Sequence, residues 1–447
     1  MTYFARSAAA VLLATALCSP GLAQVAVQPT AQTAGATVEP ALDGLFRAFQ
    51  RHPVVALGDA HGLEEQMEFY AAIVRDPRFA RDVGNVVVEF GASSQQSVID
   101  RYVAGETVPY AELRKVWNDT IGWAPPPALV GFVKFFAAVR EVNKSLPPDG
   151  RVKVWLGEPP LDWAAATSDD FRAAIGARGT HPAALIRDRI LAYGEKTLVI
   201  YGLGHIGGGG LKGRVEAAHP DAMFAILPYA PPLQYPGCAP LLPQVAAIWP
   251  APALAIRGPG SGPGSGPGSE PGDCFTLVPP MGPPPGLPSG GPGPGPGGPP
   301  PGGPPPGGPG AGPHSGPGGP VAAGPPPGGP GPGPLRGPPP PLVGDAILFL
   351  APLEKLAQGP QGPFEQIAQG RFLPDYLFDA ELRAELRRRG AVGALPLMPT
   401  PPGLAIRKAD FAFDLDAPGF REQIDAIFAA YDRDDDGIIT DEEYREP

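Results

Sequence analysis

Short apolar runs alternate along this chain with longer stretches whose apolar residues recur at helical spacing. Residues 54–57, 86–88, 152–156, 197–201 and 224–227 are rich in Val, Ile, Leu and aromatic side chains. They have the length of strands and little polar alternation, as strands covered on both faces do. Between them, Leu63, Met67, Tyr70 and Val74 share one helical face, as do Val98, Ile99 and Tyr102, with Ser93 or Ser94 as the expected cap. A third helical pattern carries Phe132, Phe136 and Val139. Mostly apolar strands alternating with amphipathic helices predict an α/β fold, a parallel sheet with helices on both faces. This rhythm occupies residues 40–257.

It then breaks. The chain holds 66 prolines and 62 glycines in 447 residues, and much of the excess lies in residues 258–341. The local repeats there run at four and five residues, which excludes a collagen triple helix. A segment with so little to bury is expected to be a disordered Pro/Gly-rich insertion. The strand-like run at 345–350 follows it. Residues 342–400 are too few for a domain of their own, so they are expected to return to the α/β domain. Loop-closure entropy grows only logarithmically with length, which makes a long insertion tolerable.

Charge and the N-terminus narrow the setting. A formal charge of −11 argues against nucleic acid as a partner and suits metal cations. Residues 1–23 read as a signal peptide. Arg6 supplies the positive end, Ala8 to Leu17 the short apolar stretch, and Gly21-Leu22-Ala23 the cleavage site before Gln24. A periplasmic or secreted protein is therefore expected. That apolar run is too short to span a bilayer, and no other segment predicts stable membrane insertion. Cys238 and Cys274 are then the only cysteines of the mature chain, free to pair in an oxidising compartment. Their spacing does not resemble a zinc site.

The chemistry concentrates where strands end. The first run leads into Gly58-Asp59-Ala60-His61-Gly62, the second ends at Glu89, the third meets Gly157-Glu158-Pro159, and the fourth meets Gly202-Leu203-Gly204-His205. In a parallel sheet the carboxyl ends of strands share one edge, and ligands bind in the crevice there. Asp59, His61, Glu89, Glu158 and His205 are thus expected to converge on a small-molecule ligand or substrate. Such a cluster can activate water for hydrolysis. Two imidazoles and a carboxylate can equally ligate a transition metal.

A second constellation closes the chain. Asp432, Asp434, Asp436, Gly437, Ile439 and Glu443 occupy the constrained positions of a twelve-residue EF-hand calcium loop. The three aspartates, the Ile438 carbonyl, Thr440 and a bidentate Glu443 are the expected ligands. Ile424, Ile427, Phe428 and Tyr431 give the entering helix its apolar face, so residues 415–447 are expected to form the EF-hand.

The ordered motifs of the first domain resemble a known superfamily. Gly58-Asp59-Ala60-His61, Val86-Val87-Val88-Glu89, Asp100-Arg101-Tyr102, Glu158-Pro159-Pro160-Leu161-Asp162-Trp163 and Gly204-His205 are similar to the erythromycin-esterase-like proteins and to the haem-binding iron-regulated lipoproteins of the ChaN type. The broader group includes the Tiki and TraB proteins. The resemblance implies that His61, Glu89 and His205 fall in the family's polar site. Asp59 stands where that family usually has glutamate, and no second histidine closely follows His205. Three readings result: an exported calcium-binding protein whose α/β domain is a hydrolase of unknown substrate; a binding or uptake protein for haem or a transition metal; and a non-catalytic, calcium-tuned interaction protein.

Overall fold

The computed structural model describes residues 36–122, 129–207, 209–230, 235–258, 274–277, 342–352, 355–356, 371–394 and 403–445. The expected signal peptide and nearly all of the Pro/Gly run lie outside these residues. Eight strands form the main sheet: β1 (Ala36–Pro40), β2 (Val54–Asp59), β3 (Asn85–Ala92), β4 (Lys153–Glu158), β5 (Thr197–Gly202), β6 (Met223–Pro228), β7 (Ala253–Arg257) and β10 (Ala346–Phe349), with β8 and β9 set apart in a neck described below. Their spatial order is β1-β7-β10-β6-β2-β5-β3-β4. From β10 to β4 every neighbouring pair is parallel. β7 runs antiparallel to both β1 and β10, so the sheet is mixed at one edge rather than parallel throughout.

Successive side chains on a strand face opposite ways, and this alternation sorts the apolar residues into two cores. Val55, Leu57, Val86, Val88, Leu198 and Ile200 face one. Val54, Ala56, Val87, Val199 and Tyr201 face the other. The first core is covered by α1 (Ala41–Phe49), α2 (Glu64–Arg75), α3 (Gln96–Val103) and α4 (Val130–Lys144). The second is covered by the helical stretches bearing Ala183, Ile186, Ile190, Leu211 and Val215. Burial on both faces explains why these strands read as continuous apolar runs.

The start of α3 differs from expectation. Ser93–Gln95 form a 3₁₀ turn and α3 begins at Gln96 without a side-chain cap. The Gln96 amide instead braces β4, accepting from the Leu156 N–H at 2.9 Å and donating to the Val154 carbonyl at 2.7 Å. That tie fixes the end of β4, where Glu158 stands.

Two features close the sheet's far edge. Cys238 and Cys274 form a disulfide within a small apolar cluster over β7 and β10. Beside it, β8 (Thr276–Leu277) pairs antiparallel with β9 (Leu342–Val343), joining Leu277 to Leu342. The ends of residues 278–341 therefore meet in a two-stranded neck, and the chain re-enters the sheet at once as β10.

The C-terminal region packs into the first core. Helix α6 (Phe420–Tyr431) buries Phe420, Ile424, Ile427 and Phe428 there, and the described part of the chain ends in α7 (Asp441–Arg445), with α5 (Ser168–Ala177) lying earlier over the site. Tyr102 of α3 donates to the Leu415 carbonyl at 2.5 Å, and Arg140 of α4 pairs with Asp416. No helix among the described residues is long and apolar enough to cross a membrane.

Candidate active site

Four adjacent strands, β2, β5, β3 and β4, bring their carboxyl ends to one edge, as their parallel pairing requires. Asp59 is the last residue of β2 and is buried. One of its carboxylate oxygens lies 2.6 Å from His61 Nδ1, and the other accepts the Tyr70 hydroxyl at 2.7 Å. The turn that presents His61 is locked by Gln66, which donates to the Gly58 carbonyl at 2.7 Å and accepts from the Ala60 N–H at 2.9 Å. The imidazole is thus held by its Nδ1 edge.

Glu89, in β3 just after its paired run with β5 ends at Val88, is the hub. It accepts from the Gly202 N–H and, at 2.6 Å, from Arg178 Nη2. His205 Nε2 lies 3.4 Å from the same carboxylate. A Cβ on Gly202 would come within 2.8 Å of both Glu89 Oε2 and His61 Nε2. These two groups therefore crowd one space, which only a glycine leaves open. Glu158, fully buried at the end of β4, accepts from Arg178 Nε at 2.9 Å. All five crevice residues expected from the sequence are brought together.

Arg178, Tyr70 and Tyr201 belong to the site as well, and sequence reasoning missed their roles. Arg178 follows α5, whose first turn is fixed by a capping box between Thr167 and Asp170. Its guanidinium bridges Glu89 and Glu158. Nothing local marks it, because its partners lie 89 and 20 residues away along the chain. Tyr70 sits in the apolar stripe of α2 and reads as core.

The environments of the two histidines push their proton affinities apart. Burial presses His61 down, yet the Asp59 charge and hydrogen bond, aided by Glu89 and opposed by Arg178, lift its pKa to about 9. For His205, burial dominates, Arg178 and His61 add to it, and Glu89 opposes them, so its pKa falls below the usual 6.5. Burial raises Glu158 to about 7; Arg178 opposes this and Glu89 reinforces it. At neutral pH the site then holds a charged imidazole beside a neutral one, the pairing that lets one group give a proton while another takes one.

A transition metal fits this arrangement poorly. Arg178 already bridges the two carboxylates, so a metal would have to displace its guanidinium. Among the described residues, the group of three or more His, Cys or carboxylate ligands whose donor atoms close to within 4.8 Å lies elsewhere, at Asp432, Asp434 and Asp436.

That second cluster spans the loop after α6. The Asp436 and Gly437 N–H groups donate to Asp432 at 3.2 and 3.0 Å, and the Ile438 N–H donates to Asp436 at 2.8 Å. Glu443 folds back on the loop, accepting from the Thr440 and Arg433 N–H groups at 2.9 and 2.8 Å. Gly437 makes the turn at φ 82°. Strand β12 (Ile438–Thr440) pairs antiparallel with β11 (Ala405–Arg407), with Ile439 opposite Ile406. The loop's partner strand comes from the same chain, from a segment the sequence did not mark.

No family model and no curated protein matches the chain. Two solved structures are similar to it. One is a Bacillus cereus protein, 14% identical, covering 42% of this chain and 69% of its own length with a TM-score of 0.30. The other is ChaN of Campylobacter jejuni, described with cofacial haem binding, 12% identical, covering 45% of this chain and 94% of its own, also with a TM-score of 0.30. At that score neither similarity carries an argument about function, and the reading below rests on the site itself.

Proposed function

We propose that the crevice is a hydrolytic acid–base site acting on a small acyl ester. The observation that carries this reading is the pair of histidines held on either side of Glu89, one anchored by Asp59 and the other not. His205, neutral near pH 7, takes a proton from water. The resulting hydroxide adds to the ester carbonyl, and the developing oxyanion is met by the His61 imidazolium and the Arg178 guanidinium. His61 then gives its proton to the leaving alcohol. Asp59 and Tyr70 hold His61 in place, and Glu89 orients His205. The transition-metal alternative is not carried further, because Arg178 already bridges the two carboxylates; haem binding at the same crevice is the alternative reading, and a red-shifted Soret band on haem addition distinguishes it from hydrolysis.

The pH dependence has a definite sign. Activity requires neutral His205, so it falls as pH drops through that group's lowered pKa. It also requires charged His61, so it falls again as pH rises through about 9. On a panel of activated aryl esters, kcat/KM is expected to form a plateau between these limbs. His205→Asn is expected to abolish the acid limb and His61→Asn the alkaline limb, each lowering the plateau by roughly 10²- to 10⁴-fold. A profile with one limb near 6.5, unaltered by His61→Asn, contradicts the assignment.

The same reading includes a calcium site. The cluster of Asp432, Asp434 and Asp436, with the Ile438 carbonyl, Thr440 and Glu443, supplies oxygen donors suited to calcium. Its affinity is expected in the roughly 10⁻⁴ to 10⁻³ M range of extracellular modules. Titration calorimetry on the whole protein is expected to show saturable calcium binding that Glu443→Gln abolishes or severely weakens, with magnesium a poor competitor. No saturable heat, or full binding by Glu443→Gln, leaves an acidic loop and removes the third reading, a calcium-tuned interaction protein, as well.

Export completes the proposal. The Cys238–Cys274 disulfide supports an oxidising compartment, periplasmic or extracellular. N-terminal sequencing of the exported protein is expected to begin at Gln24; a cytoplasmic protein starting at Met1 rules export out.

A further inference from the structure

Two polar atoms at the site's edge are sealed from solvent and make no hydrogen bond: the Tyr201 hydroxyl and Glu158 Oε2. Both residues are only 1% exposed. Buried polar groups are nearly always paired, and an exception inside a site of this kind calls for a reason. Tyr201 stands one residue before Gly202 on β5, with its ring in the second core. Its hydroxyl reaches across to β4, where a Cβ on Gly157 would lie 2.0 Å from it. Gly157 thus provides a notch for the phenol, immediately before Glu158 in the chain.

We propose that the Tyr201 hydroxyl is a hydrogen-bond donor held in reserve for Glu158, which makes Tyr201 a positioning residue of the acid–base site. This rests on the hydrolytic reading for its purpose but not for its test. The other oxygen of Glu158 is already taken by Arg178 Nε. The groups facing Glu158 are Arg178, Glu89, the Ile121 amide, which already donates to it, and Tyr201, whose hydroxyl is an uncharged donor without a partner. Burial, with Glu158 and Glu89 beside it, keeps the phenol protonated far above the working range. It therefore donates whenever Glu158 ionises and never competes with it for a negative charge. The consequence is a carboxyl whose proton leaves more readily than its burial alone allows, tightening its hold on Arg178 and keeping that cation aimed at the substrate.

Infrared difference titration of the whole protein tests this. The protonated-carboxyl band that Glu158→Gln removes reports the Glu158 midpoint without any assay of hydrolysis. A donor to the ionised form lowers a carboxyl pKa, so Tyr201→Phe is expected to raise the midpoint by about one unit, tenfold in proton affinity. Uniform 3-fluorotyrosine labelling, which strengthens the phenol as a donor and keeps the wild-type fold, is expected to move it the opposite way. A midpoint unmoved by either change overturns the proposal. If the midpoint moves while no ester is cleaved, the Tyr201 assignment stands and the hydrolytic reading falls.

Discussion

Arg178 is the charge on which the arrangement depends. Two carboxylates, Glu89 and Glu158, lie buried on the neighbouring strands β3 and β4, and neither is tolerable there as an unpaired ion. One guanidinium bridges them. Its planar fork suits such a bridge in a way that a lysine ammonium does not. Removing one partner of a buried charge cluster costs roughly 3–5 kcal/mol, because the other partner is left uncompensated. The same cation depresses His205 and helps set Glu158 near neutrality. Helix α5 and its capping box thus serve the crevice by fixing where Arg178 begins.

Around that bridge, the strand ends divide the labour. β2 supplies a histidine bound tightly to a buried carboxylate, and β5 leads into a histidine with only a distant one. The two imidazoles have identical chemistry in isolation. Burial and neighbouring charge alone separate them, and the separation follows from which carboxylate lies at 2.6 Å and which at 3.4 Å. The glycine between Glu89 and His61 lets the two pairs approach, so the chain turns short glycine-ended strands into a site without a dedicated loop.

Much of this was legible in the sequence because the sheet is parallel. Residues 54–57, 86–88 and 197–201 read as strands from their apolar runs, and the rule that parallel strands share a carboxyl edge then gathered Asp59, His61, Glu89, Glu158 and His205. Three kinds of contribution were not legible. Arg178 sits just beyond an unremarkable helix and acts on residues far away in sequence. Tyr70 and Tyr201 occupy apolar positions, where aromatic bodies hide the hydroxyls they carry into the site. β11, three residues long, has no pattern of its own and takes its identity from pairing with β12. The antiparallel edge escaped for a similar reason, since β1 is short and half-polar and β7 abuts the Pro/Gly run.

The central claim is that one fold gives two histidines opposite protonation at neutral pH. Titrating the imidazole nitrogens of the intact protein by ¹⁵N NMR, with His61→Asn and His205→Asn for assignment, measures it directly. The account predicts that His61 stays doubly protonated through pH 7.5 and titrates near 9, while His205 titrates below the usual 6.5. Two histidines losing their protons together near 6.5 would contradict it.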